Sequence, residues 1–505
     1  PERGFALAAL TGALSFQHAK PGLIRALIAE RADPVLFELS YDYVGDLSET
    51  VALMWPADPA SPPNAVPLLS EVIETLSTLG KAQLPAQLAR WLDALDETGR
   101  WSLLKLVTGG LRIGISARLA KTAAASLGGK EPNEIEILWP ELAPPYTELF
   151  AWLEGRAEKP VSRDPAPFRP AMLAHAIADS DFTSLEPSAF TAEWKWDGIR
   201  IQAVTAMTDD GQTLSRLYSR TGEDISNAFP DLSDALRLPG AIDGELLIVR
   251  DGRVQSFNVL QQRLNRKAVT GKLLADFPAH LRAYDLLMDG TDDIRDQPFA
   301  ERRKRLQAFI ERLASPRIDL SPLVPFESWE MLAAARADPS AAGAGADANA
   351  IEGIMLKRAD AAYVPGRPRG LWWKWKRDPL VVDAVLMYAQ RGHGKRSSYY
   401  SDYTFGVWTK GDSGDELVPV GKAYFGFPVR EVAHTPNQGL VFEIAFEGLQ
   451  RSTRHKAGLA MPFPRVNRLR WDKPPREADR LETLQAMLET IEAGRDGTSA
   501  VVAKN

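Results

Sequence analysis

The sequence predicts a multidomain protein that is all-α at its N-terminus, α+β in its middle and β-rich at its C-terminus. At 505 residues the chain is longer than a single hydrophobic core usually supports, so we expect several domains. In the first 160 residues apolar side chains recur at helical spacing, whereas short strand-like runs begin near residue 190. A proline-rich polar stretch, residues 157–172, is typical of a linker and separates the two patterns.

The composition indicates a globular protein, with 25% charged and 45% hydrophobic residues. The absence of cysteine excludes disulfides and thiolate zinc sites. A formal net charge of −6 leaves a nucleic-acid partner open, because such binding depends on where the charges lie. We find no apolar run long enough to span a bilayer, so we expect no membrane partner and a cytoplasmic location.

The N-terminal part contains predicted helices over residues 68–79 and 84–95 and, after them, a basic window. From Trp101 to Lys130 there are five basic residues and no acidic residue. Within this window the glycine-rich run 109–116 precedes another predicted helix, whose free amide groups would suit a phosphate. A basic face on an ordinary helical bundle explains the same pattern, and these residues alone leave both interpretations open.

The remaining segments predict a loop, three strands and a closing helix. Residues 337–350 are rich in alanine and glycine, and we expect a surface loop there without a chemical role. After Pro379, strands are predicted over residues 381–388, 403–410 and 439–446. Residues 477–491 predict a closing helix.

The most informative run of the middle part covers residues 193–200, Glu-Trp-Lys-Trp-Asp-Gly-Ile-Arg. In a strand, the period of two places Lys195 between two carboxylates on one face and two tryptophans on the other. A lysine held this way can act as a covalent nucleophile. Gly198 would let the backbone turn sharply or approach a ligand closely. Taken alone, the run also fits a surface strand with alternating charges.

Four further runs of the middle part carry charges in positions that suit a nucleotide phosphate. Carboxylates on strands can hold Mg²⁺, and two lysines on one strand face repel each other unless an anion lies between them. A carboxylate in an otherwise apolar strand is costly unless a cation or a donor meets it. The residues concerned are Asp243, Glu245, Glu352, Lys374, Lys376 and, at a turn, Arg220.

In their order and spacing these runs resemble the signature motifs of ATP-dependent DNA ligases. The similar runs are Lys195-Trp-Asp-Gly-Ile-Arg200, Ser219-Arg-Thr-Gly, Asp243-Gly-Glu-Leu, Tyr284-Asp-Leu-Leu, Glu352-Gly-Ile-Met-Leu-Lys and Trp373-Lys-Trp-Lys376. A last run, from Phe463 to Lys473, resembles the family's final motif on its OB-fold domain. The run Gly-Gly-Leu-Arg-Ile-Gly resembles one in the N-terminal DNA-binding domain of larger members.

The resemblance implies three domains, a fold for each and a reaction. Residues 1–165 would form an all-α DNA-binding domain, 166–378 an α+β nucleotidyltransferase (adenylation) domain, and 379–505 a C-terminal β-barrel OB-fold. The protein would use ATP and Mg²⁺ to seal nicks in duplex DNA through a lysyl-adenylate and a DNA-adenylate. It would be a monomeric, nucleoid-associated enzyme of the cytoplasm, serving replication, repair or recombination.

The resemblance also implies roles for residues around the nucleotide. Lys195 would attack the α-phosphate of ATP, and Glu193 would accept a hydrogen bond from the adenine amino group. Tyr284 would stack on adenine, although a buried core tyrosine is the alternative. Arg200 and Arg220 would reach the ribose or the 5′-phosphate at the nick.

Further implied roles concern the metal and the phosphates. Glu245 and Glu352 would hold the ribose and Mg²⁺, while Lys374 and Lys376 would grip the α-phosphate and favour a neutral Lys195 amine.

One position departs from the family's pattern. Where the family often has an arginine, six residues before the paired lysines, this chain has Pro368 between Arg367 and Arg369. Either arginine could contact ATP, and Arg367 is our candidate. Lys357 lies at odd spacing from Glu352, so we assign it no catalytic role.

Two basic groups are expected to act outside the adenylation domain. The residues implied to bind DNA phosphates are Arg112, Arg118, Lys121, Lys395 and Arg396. Those implied to approach pyrophosphate during lysine adenylation are Arg465, Arg468, Arg470, Asp472 and Lys473.

Other functions fit parts of the pattern less well. An RNA ligase or a GTP-using capping enzyme would share the scaffold, but the basic helical part and Glu193 argue against both. An NAD-dependent ligase is disfavoured because it would carry a cysteine-ligated zinc module. A catalytically inactive DNA-binding protein would not need the lysine and carboxylates described above.

Overall fold

A computed structural model describes residues 1–56, 66–111, 113–161, 164–208, 210–264, 269–391, 400–411, 414–427, 439–453 and 455–496. The chain divides into two compact units. The first comprises Pro1–Pro132, Leu142–Pro160 and Pro379–Ile491, and the second includes Asn133–Glu141 and Val161–Asp378. Across these described ranges, no helix is both long and apolar enough to cross a membrane.

The N-terminal part of the first unit is built from helices. They are α1 Glu2–Thr11, α2 Pro21–Ala29, α3 Pro34–Val44, α4 Leu47–Met54, α5 Leu69–Thr78, α6 Leu84–Ala94, α7 Glu97–Thr108, α8 Ala117–Leu127 and α10 Thr147–Leu153. Between α8 and α10 lies α9 Pro132–Leu138, of which all but the first residue belongs to the second unit. The helices predicted over 68–79 and 84–95 are confirmed as α5 and α6. The helix predicted after the glycine-rich run is α8, which Ser116 caps by accepting a hydrogen bond from the Leu119 amide.

The C-terminal part of the first unit is built around an antiparallel sheet. Its strands are β13 Leu380–Arg391, β14 Tyr400–Gly411, β15 Gly414–Phe427, β16 Val441–Phe446 and β19 Arg465–Leu469, in the order β15-β14-β13-β16-β19. A short pair, β17 Gln450–Arg451 and β18 Leu459–Ala460, and the helix α16 Leu481–Asp496 complete it. The three strands and the closing helix predicted after Pro379 are therefore confirmed.

The second unit contains two sheets and a few helices. Its strands are β1 His175–Ala176, β2 Phe190–Trp196, β3 Ile199–Met207, β4 Thr213–Ser219, β5 Gly240–Arg250, β6 Arg253–Val254, β7 Ala279–Asp289, β8 Asp292–Asp293, β9 Ile318–Leu320, β10 Leu323–Val324, β11 Ile351–Arg358 and β12 Trp372–Lys376. Its helices are α11 Pro230–Ser233, α12 Phe257–Leu260, α13 Gly271–Asp276, α14 Phe299–Leu313 and α15 Trp329–Ala337.

The two sheets of the second unit are joined where β2 ends and β3 begins. One sheet has the order β1-β12-β11-β2-β10, and the other follows β4-β3-β5-β7-β8 with β6 beside β5 and β9 beside β7. The chain passes from one sheet to the other through Asp197 and Gly198. The predicted strand over 193–200 is thus two strands with a turn at the predicted glycine.

The faces of β2 differ as the alternation predicts. Trp194 and Trp196 are buried in a hydrophobic cluster with residues of β11 and α15. The Trp196 indole also donates a hydrogen bond of 3.1 Å to the Ser321 hydroxyl. Because both indoles are fixed in the core, the opposite face of β2 is held in one orientation.

Two expectations about irregular segments are wrong. In the predicted linker, residues from Asp164 onward pack against the second unit, with Phe168 and Met172 in a hydrophobic cluster. In the predicted surface loop 337–350, helical turns at Ser340–Ala344 and Gly345–Ala350 follow α15. The proline and alanine content of these segments did not predict this packing. In the first segment Phe168 and Met172 supply the buried apolar surface, and in the second it comes from small alanines.

Gly198 makes the turn between the sheets possible. A Cβ atom at this position would lie 2.6 Å from the Leu246 carbonyl oxygen and 2.8 Å from the Glu245 Cγ. Either contact is closer than packed atoms tolerate, so any side chain here would push β3 and β5 apart.

We therefore expect Gly198→Ala to lower the free energy of unfolding by about 1–3 kcal/mol. The matched control is Gly271→Ala, because a Cβ at Gly271 meets no atom within 4 Å. The control should change stability by less than about 0.5 kcal/mol. Thermal and urea unfolding of the two variants beside the parent measure the difference, and equal stabilities would contradict the close approach.

Candidate active site

A cavity of about 490 Å³ lies in the second unit, at the junction of its two sheets. This volume is in the range of small-molecule sites. It is lined by residues of both sheets, among them Glu193, Lys195, Arg200, Arg220, Glu245, Tyr284, Glu352, Lys357, Arg367, Trp372 and Lys374. Every residue that the motifs predicted around the nucleotide therefore lines this cavity or, for Lys376, is ion-paired to one that does.

The central feature of the cavity is Glu352, which joins two lysines. Lys195 on β2 and Lys376 on β12 both lie opposite Gly353 of β11 in the strand register. Glu352 is an extra residue in β11, at a bulge between Ile351 and Gly353. Its carboxylate accepts a hydrogen bond from Lys195 and, at 2.9 Å, forms an ion pair with Lys376. The bulge thus directs one acid between two cations from different strands.

Electrostatics keep Glu352 ionised. Burial alone raises the pKa of its carboxyl, but the positive charges of Lys195 and Lys376 outweigh burial and bring the pKa below its usual range. The Lys374 amine has a lowered pKa because it is partly buried and lies near Lys195, Lys376 and Arg367. The expected cluster of cations around one lysine is therefore present.

Glu245, on β5, behaves in the opposite way. Burial raises its pKa to about 8, and the negative charges of Glu352 and Asp243 act in the same direction against Lys195 and Arg200. A carboxyl with this pKa is mostly protonated at neutral pH and becomes an anion when a cation arrives. Glu245 and Glu352 together offer the one or two carboxylates with which proteins usually hold Mg²⁺, beside phosphate oxygens and water.

The described residues contain no cluster of three or more His, Cys, Asp or Glu side chains that could bind a metal on its own. The carboxylates of the cavity fit an ion that arrives with a nucleotide, because phosphate oxygens then complete the coordination.

Arg200 is held rigidly on β3. Its guanidinium donates to both carboxylate oxygens of Asp243, with the Nε bond at 3.0 Å, and to the Tyr363 hydroxyl at 3.0 Å. The Tyr363 hydroxyl in turn donates to Asp243 at 2.7 Å. Asp243, which shares a strand with Glu245, therefore serves to fix an arginine. Such a bidentate pair orients the guanidinium with little loss of freedom on binding a ligand.

Arg220 and Arg367 line the cavity from segments outside the strands. Arg220 is exposed in the turn after β4, where Gly222 has a φ of +88°. Arg367 is exposed on the segment before β12, and its carbonyl oxygen lies 3.1 Å from the His175 ring. Of the two arginines flanking Pro368, Arg367 is the one that lines the cavity.

Glu193 is almost completely buried at 1% exposure and bonded on both oxygens. Its Oε1 accepts from Arg303 at 2.9 Å, and its Oε2 forms an ion pair with Lys357 at 2.6 Å. The Lys357 Nζ is surrounded by aromatic rings, with the Tyr284 centroid at 4.3 Å and the Trp372 centroid at 4.6 Å. Burial lowers the pKa of Lys357, although Glu193 and Asp285 oppose this.

The spacing argument by which Lys357 was assigned no catalytic role does not hold, although the absence of such a role stays a prediction. Strand alternation puts residues 352 and 357 on opposite faces, yet both line the cavity. The bulge at Glu352 inserts one residue into β11 and so reverses the alternation from that point. Arg303 was also missed, because its contact with Glu193 joins residues 110 positions apart.

The other predicted residues lie in the first unit or outside the described residues. Arg118 is exposed and Lys121 is half-buried on α8, whereas Arg112, Lys395 and Arg396 fall outside the described residues. The predicted pyrophosphate group lies on and after β19 and pairs with nearby acids. Arg468 bonds Glu443 at 2.9 Å, and Lys473 bonds Asp383 at 2.6 Å.

The same group contains three further residues. Arg470 donates to Asp383 at 2.6 Å and to Asp472 at 2.8 Å, and Arg465 lies 3.6 Å from Glu447. These basic residues share a surface, and their roles toward pyrophosphate and DNA remain predictions.

Comparison with known proteins places this site in a family. Residues 171–376 match the family model described as the ATP dependent DNA ligase domain. A probable DNA ligase from Anaeromyxobacter sp. (strain Fw109-5) is 32% identical over 448 residues, which cover 83% of this chain and 80% of that relative. A probable DNA ligase from Koribacter versatilis (strain Ellin345) is 31% identical over 421 residues, which cover 75% of this chain and 70% of that relative.

A solved structure agrees at the level of the fold. The protein named Pmar-Lig_PreS3 superposes with a TM-score of 0.51 at 14% identity, over 89% of this chain and 99% of that one. At this identity the likeness concerns the fold alone. The matched domain spans the whole cavity, and two relatives above 30% identity are covered over most of their length, so the chain belongs to the family of ATP-dependent DNA ligases.

Proposed function

We propose that this protein seals nicks in duplex DNA, using ATP and Mg²⁺, with Lys195 as the residue that carries AMP. The family works through a lysyl-adenylate, so one lysine of the chain must be reactive toward ATP. The observation that carries the assignment is the position of Lys195, in a nucleotide-sized cavity beside Glu352 and among further cations. Lys376 lies on β12, which pairs with the other side of β11, and its ammonium would help to neutralise the charge of the phosphate.

The reaction would run in three displacements. The neutral Lys195 Nζ forms a bond to the α-phosphorus of ATP while the bond to the β-phosphate oxygen breaks and pyrophosphate leaves. The 5′-phosphate at the nick then takes AMP from Lys195. Finally the 3′-hydroxyl attacks that phosphate and releases AMP. Each step needs positioning and neutralised charge more than a new base.

The residues around Lys195 would each assist the first displacement. Glu352 accepts a hydrogen bond from the Lys195 Nζ and would hold the amine in the cavity, while the proton that the amine loses on attack would pass to water. Lys374 and Lys376 would bind the α-phosphate, and an incoming triphosphate would compete with Glu352 for them. Arg367 and Arg220, both exposed at the cavity, would contact the phosphates and the ribose or the nick phosphate.

The base and the sugar of ATP would be bound by other residues of the cavity. Glu193 would accept from the adenine amino group, since an ionised carboxylate has more lone pairs than its two present partners use. Tyr284 would stack on the adenine ring. Arg200, fixed by Asp243, would reach the ribose or the 5′-phosphate.

Glu245 and Glu352 would hold Mg²⁺ together with phosphate oxygens. A bound Mg²⁺ neutralises charge on the transferred phosphate. Glu245 suits this role because it lines the cavity together with Glu352, and a bound cation would favour its ionised form over the neutral form that burial favours. It would also accept from the ribose when it is anionic.

The remaining parts of the chain would bind DNA. We propose an all-α DNA-binding domain over 1–165, an adenylation domain over 166–378 and an OB-fold over 379–505, supported by the helices α1 to α10 and by the five-stranded sheet after Pro379. The group Arg465, Arg468, Arg470, Asp472 and Lys473 would approach pyrophosphate during adenylation. We further propose that the enzyme acts as a monomer at the nucleoid in the cytoplasm, where its DNA substrate would be.

The first prediction concerns the covalent intermediate. Incubation with ATP labelled at the α-phosphate should transfer label to the parent protein, and Lys195→Ala should carry none, because it lacks the attacking amine. Lys304→Ala is the control, since this lysine is exposed on α14 and pairs with Glu301 on the surface. A denaturing gel measures the label. Label on Lys195→Ala, or label only from GTP or NAD, would overturn the assignment.

The joining reaction tests the substrate directly. The parent protein should join a nicked DNA duplex and, much less well, a duplex whose nick lies between RNA strands. Equal joining of both would favour an RNA ligase. If the protein becomes labelled but does not join the DNA nick, the assignment of the lysine would stand and the assignment of nicked DNA as the substrate would be wrong.

The pKa of Glu245 predicts a pH dependence of stability. Its value of about 8 lies above the ordinary 4.5, so the folded protein binds an extra proton between these values. The stability that this proton contributes is present below the ordinary pKa and is lost as the pH rises toward about 8. Glu245→Gln keeps a neutral group and should therefore gain stability relative to the parent between about pH 5 and pH 9. Thermal midpoints across this range measure the effect, and parallel curves would contradict it.

Arg118 provides a test of DNA binding by the helical part. This side chain is exposed on α8, so Arg118→Ala should weaken binding of a nicked duplex and reduce the slope of log K against log salt by about one. Lysine adenylation should be unchanged. The matched control is Arg25→Ala, an exposed arginine on α2. Fluorescence anisotropy at several salt concentrations measures both, and equal effects of the two variants would exclude a specific role for α8.

A further inference from the structure

Glu193 is held from two sides by cations that come from different elements. Arg303 reaches its Oε1 at 2.9 Å from α14, and Lys357 reaches its Oε2 at 2.6 Å from β11. The second arm of Arg303 donates to the Ser321 carbonyl oxygen, and Lys357 also donates to the Tyr284 carbonyl oxygen at 3.3 Å. Each cation therefore has a second anchor, which fixes the carboxylate in position and in orientation.

The two cations stand in different relations to the cavity. Lys357, Glu193 and Tyr284 line it, whereas Arg303 approaches Glu193 from α14 and its side chain is 11% exposed. Its neighbour Arg302 is more deeply buried and pairs with Asp285, through bonds of 2.8 and 2.9 Å. Helix α14 thus sends two adjacent arginines inward, and only Arg303 meets Glu193.

We propose that Arg303 is a positioning residue that sets the preference of the site for a 6-aminopurine nucleotide over a 6-oxopurine nucleotide, acting through the Glu193 carboxylate. This inference rests on the proposed role of Glu193 toward adenine. A 6-amino group donates hydrogen bonds, whereas a 6-oxo group can only accept them. A carboxylate that is kept ionised is an acceptor alone, so it bonds the first group and repels the second.

Arg303 enforces both conditions that this selection needs. Its positive charge pairs with the buried Glu193 carboxylate, which would be costly to leave without a partner. Its guanidinium bonds both the Glu193 Oε1 and the Ser321 carbonyl oxygen, and this second anchor prevents the carboxylate from rotating away. Lys357 meets only the other oxygen, Oε2, and its flexible ammonium fixes orientation less well than a guanidinium does.

The test compares ATP with ITP, which differs at the purine 6-position and lacks the 2-amino group of GTP. We expect Arg303→Met to lower the ratio of kcat/KM for ATP to that for ITP in lysine adenylation by about ten- to a hundredfold. Part of the change should be a gain with ITP, which a merely structural defect would not produce. Arg303→Lys, which keeps the charge and loses the fork, should give an intermediate ratio.

The matched control is Arg302→Met, on the same helix and even more deeply buried. It should lower the thermal midpoint at least as much as Arg303→Met but keep the ATP-to-ITP ratio within about twofold, because its lost partner is Asp285. If either methionine variant does not fold, Arg302→Lys and Arg303→Lys are compared in the same way. An unchanged ratio in the Arg303 variants, or an equal fall in the Arg302 variants, would overturn the inference.

A third variant separates this inference from the proposed function. Glu193→Gln should lower the same ratio, because a glutamine amide can donate to a 6-oxo group. If Glu193→Gln leaves the ratio unchanged, the role of Glu193 itself is wrong and the role of Arg303 falls with it. If Glu193→Gln lowers the ratio and Arg303→Met does not, only the role of Arg303 is wrong.

Discussion

The bridge that Glu352 forms between Lys195 and Lys376 is the interaction on which the rest of the site depends. It exists because β11 carries one extra residue between two lysine-bearing strands, and because Gly353 leaves the space beside it free of a side chain. A Cβ at Gly353 would lie 2.2 Å from the Trp375 carbonyl oxygen, so the bulge and the glycine form one unit. Without a ligand, the acid separates cations that would otherwise repel. A bound triphosphate carries negative charge and can take the place of the Glu352 carboxylate between the two lysines.

Much of this organisation follows from the sequence. Period-two alternation placed Lys195 opposite the buried indoles of Trp194 and Trp196, and the spacing of two placed Lys374 and Lys376 on one face. Helical periodicity was sufficient for α5 and α6 because their apolar faces are complete. These signals are local, so a single sequence contains them. That the charged runs come together in one site was predicted from the resemblance to DNA ligases, because no local pattern indicates which strands pair.

The features that the sequence did not reveal depend on contacts over long separations or on irregular backbone. Arg303 and Lys357 meet at Glu193 only after β2, β11 and α14 have packed. The alternation rule failed for Lys357 because a bulge is not visible in residue types. Composition was misleading for residues 164–172 and 337–350, where small or proline-bounded apolar residues pack well. Each failure arose where tertiary structure outweighs local preference.

The enclosure of Lys357 has a consequence for the chemistry of the other amines in this cavity. The Lys357 side chain is 1% exposed beneath aromatic rings, whereas that of Lys195 is 22% exposed and that of Lys376 is 41% exposed. Electrophilic reagents that acylate amines must reach the nitrogen from solvent. Two kinds of lysine therefore coexist within one pocket, one shielded from modification and one open to it. An inhibitor with a lysine-directed warhead would find its target without competition from the shielded amine.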